Sequence, residues 1–251
     1  MNVGDDIYLG NFVGPQGLVL GGTSSENPTA QIGAGPMART AFLNMVPAAL
    51  ATANIAALQA SVANVGLALA AGAGITLGVA PDGSGRTVYL LDVPRAVSLT
   101  SVSNLSGINY LVSGFDFYKK AQTQLMVGPN DNTVNSLKTW SSILSVTPQG
   151  ASASTVSVGT ADVFGFQFVM ADAGYIIHAG WDNTLAANAG TFVAADATSP
   201  ATNLTGDVRG TFAQSGNASN GARRLVIAMH LNAGQCGSSP TIQNLIGVTP
   251  A

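Results

Sequence analysis

Residues 108–131, INYLVSGFDFYKKAQTQLMVGPND, contain the pattern that decides the predicted fold. Apolar and polar side chains alternate in residues 108–114, a turn follows at Lys119-Lys120, and residues 122–127 return toward Gly128-Pro129. A period of two places one face of a strand in a core and the other face toward solvent. Two such segments joined by a short turn predict a β-hairpin.

Strand patterns continue on both sides of this hairpin. Residues 86–93 predict a strand that ends at Pro94, and further strands follow at short spacing after the hairpin. A second hairpin is predicted around Asn220-Gly221, between residues 208–213 and 224–230. Short strands separated by turns every 8 to 12 residues or so are typical of sandwiches and barrels. We therefore predict an all-β fold, an antiparallel β-sandwich or jelly-roll-like domain.

One segment departs from the strand pattern. Between residues 48 and 71, apolar side chains recur at steps of three and four, which is the spacing of a helical stripe: Ile55, Leu58, Val62, Val65 and Leu69. The alanine-rich composition also favours helix. We predict a short helix at residues 54–61, at most one in the chain, and β structure from about Leu67.

The N-terminal residues have a different composition. Glycine and proline are dense in residues 1–35 and cannot sustain a helix, so this segment is either a disordered tail or an extended arm. Apolar clusters favour the arm, because disordered segments are usually poor in such residues. We predict an extended arm over residues 1–47 and a β-sandwich domain over residues 48–251. The candidate interface residues are apolar and lie in this arm: Tyr8, Phe12, Leu18, Val19 and Leu20.

The chain is unusually poor in charge. Charged residues make up 8% of it and the net charge is -3, whereas an ordinary soluble domain carries roughly 25%. This balance excludes the basic stripe that direct binding of nucleic acid would need. A surface without charge favours coverage by neighbouring subunits. The alternative is a secreted β protein coated with Ser, Thr and Asn.

Two observations bear on location. Asp5 and Asp6 stand where a signal peptide needs cations, and glycines follow them, so we expect no secretion signal. Residues 40–81 contain no charge, but Asn and Pro interrupt them and their apolar content is mostly alanine. We interpret this stretch as buried protein, with a membrane helix as the alternative, and predict no membrane partner.

No catalytic motif is present, and we predict that the protein is not an enzyme. The two histidines, His178 and His230, both lie inside strand patterns, which favours packed or interfacial side chains. Cys236 has no partner at metal-ligand spacing. Asp116 and Asp172 could approach in space as the paired acids of a glycosidase. The chain has a single glutamate, Glu26, and it lies in the predicted arm, so paired acids for a carbohydrate depolymerase are disfavoured.

Other candidate sites are also weak. Asp182, Asp196 and Asp207 lie in predicted loops where oxygen-rich clusters can bind Ca²⁺, but loop aspartates usually make turns. Phe164, Phe166 and Phe168 share a strand face and are expected in the core rather than on a sugar platform. We predict no cofactor and no metal.

Several turn and strand signatures resemble a group of tailed-bacteriophage virion proteins, over about residues 48–248. The signatures are Val93-Pro94-Arg95, Leu105-Ser106-Gly107, Gly114-Phe115-Asp116-Phe117-Tyr118, Gly128-Pro129-Asn130, Val158-Gly159-Thr160-Ala161-Asp162-Val163-Phe164-Gly165, Trp181-Asp182-Asn183, Asp196-Ala197-Thr198-Ser199-Pro200 and Gly206-Asp207-Val208-Arg209-Gly210-Thr211. Two departures concern the first hairpin: Lys119-Lys120 stands where similar sequences have glycine, and Gln122 and Gln124 stand where they are acidic.

The resemblance implies a virion structural protein that decorates or cements the capsid. It implies the major capsid protein and copies of itself as partners, with a homotrimer as one form of self-association. The expected location is the virion, on the capsid surface, after synthesis in the host cytoplasm. A tail, collar or fibre component is the first alternative, and a carbohydrate-binding receptor protein is the second.

Overall fold

The computed structural model describes residues 40–182, 190–230 and 247–251, and these residues are almost entirely β. The strands in the described residues are β1 (Thr40–Met45), β2 (Ala51–Ser61), β3 (Ile75–Val79), β4 (Thr87–Asn104), β5 (Asn109–Phe115), β6 (Ala121–Val127), β7 (Asn130–Pro148), β8 (Ser152–Gly165), β9 (Ile176–Trp181), β10 (Gly190–Val193), β11 (Thr211–Gln214) and β12 (Leu225–His230). One short 3₁₀ turn, Ala173–Tyr175, precedes β9. The predicted all-β, sandwich-like fold with at most one short helix is confirmed.

The strands form two antiparallel sheets. The larger sheet has nine strands, seven of them in the order β10-β11-β8-β4-β7-β5-β6, while β2 pairs with β8 and β3 pairs with β4. The smaller sheet has the order β1-β12-β9. Residues 40–45 of the predicted arm thus form a strand that pairs with β12. Tyr8, Phe12, Leu18, Val19 and Leu20 lie outside the described residues.

The first predicted hairpin is confirmed. β5 and β6 pair antiparallel in continuous register from Asn109 opposite Val127 to Phe115 opposite Ala121. Lys119 in the connecting turn has a φ of 63°, the left-handed conformation that a tight turn requires. β5 also pairs with β7, so the hairpin forms one end of the large sheet.

The strand predicted to end at Pro94 continues to Asn104, so that boundary is wrong. β4 pairs with β7 on both sides of Pro94, with a shift of register between Leu90 and Arg95. Proline donates no hydrogen bond to a neighbouring strand and is tolerated where a strand is bulged. Pro94 therefore marks a bend within a long strand.

The predicted helix at residues 54–61 is also wrong, because these residues belong to β2. Asn54, Ile55 and Ala56 are buried in succession while Leu58 is 61% exposed, so the apolar stripe does not face one core. β2 pairs with β8 through several register shifts. Pairing with a central strand overrides the helical propensity of alanine. Strand structure resumes at Ile75 rather than at Leu67, although Leu67 is buried.

The second predicted hairpin does not form. β11 pairs with β10 and β8 in the large sheet, whereas β12 pairs with β1 and β9 in the small sheet. Asn220 instead makes a local turn, in which its side-chain oxygen accepts hydrogen bonds from the amides of Ala222 and Arg223. The connection around Asn220-Gly221 carries the chain from one sheet to the other.

Two main cores hold these layers. The first is built along the large sheet around Trp140, Tyr110 and Leu99, all fully buried. The second lies where the small sheet packs on the large one, and joins Leu225 and Trp181 to residues that include Phe164, Phe166 and Phe212. Of the three phenylalanines predicted in the core, Phe164 and Phe166 are buried there, whereas Phe168 is only partly buried. Within the described residues, no helix is both long and apolar enough to cross a membrane.

Candidate interaction surface

The charged side chains buried inside the fold link segments that are distant in sequence. Arg95 is fully buried; its Nη2 lies 2.6 Å from Asp162 Oδ1, and its Nη1 donates to the Ala48 carbonyl at 3.1 Å. Asp162 also accepts hydrogen bonds from the amide and hydroxyl of Ser219. Arg95 thus ties the segment before β2, β8 and the connection before β12 to one point.

A second buried ion pair lies beside the first hairpin. Arg209 Nη2 lies 2.9 Å from Asp116 Oδ2, and both side chains are at least 97% shielded from solvent. The Arg209 guanidinium also stands 5.3 Å from the centre of the Tyr118 ring, whose pKa is raised by burial. Asp116, considered above as half of a glycosidase pair, is occupied by this structural contact.

Lys138 is a buried cation held by carbonyl oxygens. Its Nζ donates to the carbonyls of Thr123 and Thr202 at 2.9 Å and of Ala251 at 3.1 Å. Burial lowers the pKa of Lys138, and the more distant carboxylates of Asp207 and Asp196 oppose that shift. Three segments far apart in sequence therefore meet at a single ammonium group.

The other acidic candidates are likewise engaged within the fold. Asp207 accepts from the amide and hydroxyl of Thr139, Asp196 from the amides of Thr198 and Gly206, and Asp182 from the amide of Arg224. Asp172 caps the 3₁₀ turn. In residues 40–182, 190–230 and 247–251, no three His, Cys, Asp or Glu side chains form a group that could hold a metal ion.

His178 lies in β9 opposite Ala228, and no catalytic group is grouped with it in the hydrogen bonds and ion pairs of the described residues. Cys236 and the His230 side chain lie outside the described residues. No nucleophile, base and orienting group come together in the part of the chain that the structure describes.

An open groove of about 940 Å³ runs beside β10 and the start of β7. Its walls carry exposed apolar side chains, Leu137, Val193 and Leu204, next to polar groups of Asn135 and Asp196. None of the described residues that line it is aromatic, so it lacks the stacking surface typical of sugar sites.

Large apolar side chains on the surface are the more informative feature. Several are more than 60% exposed: Phe42, Leu58, Leu77, Val79, Val102 and Leu204. Single exposed apolar residues are ordinary, but here few charges accompany them. Such a surface is suited to being covered by another protein.

Two of the outer edges of the large sheet, those of β6 and β3, differ. At β6 the chain covers its own edge, because the Thr123 amide donates to the Ala251 carbonyl and the Leu125 amide donates to the Asn203 carbonyl at 2.8 Å. Lys138 holds the same covering segments in place.

At β3 the edge is open within the described residues. Among the described strands β3 pairs only with β4, and Leu77 and Val79 are 62% and 70% exposed. The turn after β3 is fixed by Asp82, whose pKa is lowered to about 2 by hydrogen bonds from Ser84 and then from Arg86. β3 is therefore a regular strand whose outer edge is not covered by any other described strand.

Sequence reasoning missed these edges and the buried cations. The sequence did contain a signal for the buried positions of Arg95 and Lys138. In a chain with so few charges, each of them stands within an apolar strand. The open edge gave no such signal, since strand neighbours are set by distant residues.

Comparisons of the chain with protein-family models, curated proteins and solved structures found no match. Its function is therefore inferred from the chain's own residues and surfaces.

Proposed function

We propose that this chain is a structural protein of a tailed-bacteriophage virion, which decorates or cements the capsid by binding the major capsid protein and copies of itself. The observation that carries the proposal is the surface: few charges, with large apolar side chains such as Val79 and Val102 exposed. The turn and strand signatures that resemble virion proteins support the same role.

The proposed mechanism is binding without chemistry. Covering one exposed leucine, valine or phenylalanine side chain contributes about 1.5–3 kcal/mol. Many copies on one lattice add avidity, so modest single contacts suffice to hold the shell. The N-terminal residues Tyr8, Phe12, Leu18, Val19 and Leu20 supply further apolar contacts with a neighbouring subunit.

The interior suits a passive scaffold. The buried pair of Arg209 and Asp116 and the network around Arg95 and Asp162 link segments distant in sequence. Charged groups placed in this way stabilise a single arrangement when each has its partners. In the described residues these groups are engaged in holding the fold, which supports a structural role over a catalytic one.

Copy number in purified virions tests the proposal. Hundreds of copies per particle, measured by quantitative mass spectrometry, are expected for a capsid protein. About six to eighteen copies would instead assign it to the tail or collar, following closed-ring symmetry. Absence from purified particles would overturn the virion role.

The N-terminal contact has its own test. Deletion of residues 1–30 is expected to lower occupancy on particles without unfolding the domain, because the described strands begin at Thr40. Occupancy equal to that of the full chain would overturn the role of the arm.

A further inference from the structure

We infer that the outer edge of β3 is a docking strand for residues 17–21 of another copy of this chain. The inference deepens the proposed function and rests on it for the role of the N-terminal residues as the segment that reaches a neighbour. It names the surface on which they are received.

The hydrogen-bond pattern fixes which backbone groups of β3 point outward. The Ala80 amide donates to the Arg86 carbonyl at 2.8 Å, and Val79 lies opposite Thr87. In an antiparallel pair, residues alternate between facing the partner strand and facing away. Gly78 therefore faces β4, while the N–H and C=O groups of Leu77 and Val79 face away from it.

In the part of the chain that the structure describes, this edge has none of the usual protection. Sheet edges are normally blunted by charge, proline or a bulge. β3 contains neither charge nor proline, and its five pairs with β4 run without a register shift. The β6 edge, by contrast, is covered by residues of the same chain. An open, regular and apolar edge is a template for an added strand.

Residues 17–21 have the length and composition to fill it. They read Gly-Leu-Val-Leu-Gly, three strand-forming apolar residues between glycines, and no charge occurs anywhere in residues 7–25. β3 is also five residues long and lies in an uncharged stretch, residues 40–81. Neither partner loses a solvated charge on pairing.

The length of the chain before β1 allows these residues to reach a neighbouring copy. Nineteen residues separate Leu20 from Thr40, and an extended segment of that length spans roughly 60–70 Å. Pairing of β3 with β3 of a second copy is less favourable, because two five-residue strands cover far less than the roughly 800 Å² per partner of a stable interface. A segment that continues to Phe12 and Tyr8 adds apolar area that β3 alone lacks.

Disulfide cross-linking between two different variants tests this docking. In a Cys236→Ser background, one chain carries Leu18→Cys, Val19→Cys or Leu20→Cys, and a differently tagged chain carries Leu77→Cys or Val79→Cys. Directly opposed residues on neighbouring strands have Cβ atoms close to disulfide range, and the six combinations sample different registers of the two strands. The matched control is Val102→Cys, because Val102 is 81% exposed and lies on β4.

The expected result is a mixed disulfide dimer between the two tagged chains, in purified particles and in concentrated solution, at a yield above that of the Val102→Cys control. A yield no higher than the control for every combination would overturn the docking. Cross-linking only between two copies of β3 would overturn it as well.

The same particles separate this inference from the proposed function. Normal copy number without the mixed dimer overturns the docking and leaves the virion role standing. Absence of the protein from the particles overturns the virion role, whatever cross-link forms in solution.

Discussion

Two of the outer edges of the large sheet, those of β6 and β3, differ in how their outward backbone groups are satisfied. At β6, the carbonyls of Asn203 and Ala251 accept the outward amides, and Lys138 anchors the covering segments. At β3, the outward groups of Leu77 and Val79 have no such cover in the described residues. A covered edge has backbone polar groups that are buried together with hydrogen-bond partners from the same chain. The backbone groups of an open edge can instead pair with a second chain. We therefore propose that the covered β6 edge contributes to stability and that the β3 edge serves association.

The largest loss of stability is expected from breaking the buried ion pair near the covered edge. Arg209→Met leaves the Asp116 carboxylate buried without its cation, which costs about 3–5 kcal/mol in the free energy of unfolding. Urea denaturation measures it. The control is Arg86→Met, since the Arg86–Asp82 pair is solvent-exposed and its loss should leave the midpoint nearly unchanged. Equal shifts of the urea midpoint for Arg209→Met and Arg86→Met would contradict the assignment of stability to the β6 end of the sheet.

A smaller loss is expected from Lys138→Met. The substitution leaves the carbonyls of Thr123, Thr202 and Ala251 without their shared donor, at a cost of about 1–3 kcal/mol. The covering segments should loosen, so the Leu125 amide should exchange with solvent faster than in the unmodified protein. Unchanged exchange at Leu125 would show that Lys138 does not hold the covered edge.

The pH dependence of this site follows from the direction of its pKa shift. Burial puts the pKa of Lys138 in the folded protein below its usual value of 10.5. Between those two values the unfolded chain binds more protons than the folded one, so stability rises with pH. The stability of the unmodified protein relative to Lys138→Met should therefore increase as the pH passes upward through the folded-state pKa. A flat or falling difference would contradict a desolvated lysine.

A still smaller loss of stability is expected at the loop of residues 196–206, which includes the Asn203 carbonyl that covers β6. Hydrogen bonds from Thr198, and then from Gly206, lower the pKa of Asp196 below its usual 3.8. A depressed acid contributes stability above the unfolded-state pKa and loses it as the pH falls through the folded-state pKa. Asp196→Asn should therefore cost about 1 kcal/mol or less near neutrality, and the difference should vanish in strong acid. Urea midpoints measured from pH 6 downward check this.

The smallest effect on stability, with the largest effect on association, is expected at the open edge. Leu77→Lys or Val79→Lys places a charge on an exposed side chain, so the free energy of unfolding should change by no more than about 0.5 kcal/mol. Self-association, measured by sedimentation velocity, should be lost, because a lysine on an edge strand blocks strand addition. Val102→Lys is the matched exposed control and should associate normally. Equal association of all three variants would contradict a docking role for β3.

Local patterns predicted the local parts of this fold. The β5–β6 hairpin follows from alternation and a turn within twenty residues, and its predicted pairing is confirmed. The helix expected at residues 54–61 failed because β2 gains its stability from β8, about a hundred residues away. The hairpin expected at Asn220-Gly221 failed for the same kind of reason, since its two strands find partners in different sheets.

The residues of the candidate interaction surface also differ in whether the sequence alone reveals them. Apolar clusters in the N-terminal residues are visible in the sequence, and their role stays a prediction. Leu77 and Val79 carry no local mark of being an open edge, because their exposure depends on which strands surround β4. Lys138 likewise links distant segments only because the fold brings the carbonyls of Thr202 and Ala251 to its ammonium group.

Hydrogen exchange at single amides, compared between isolated and assembled protein, tests the contrast most directly. The amides of Thr123 and Leu125 should be protected in both states, because the same chain covers them. The amides of Leu77 and Val79 should exchange rapidly in the isolated protein and become protected on assembly. Leu77 and Val79 amides that exchange equally fast in both states would contradict docking at β3.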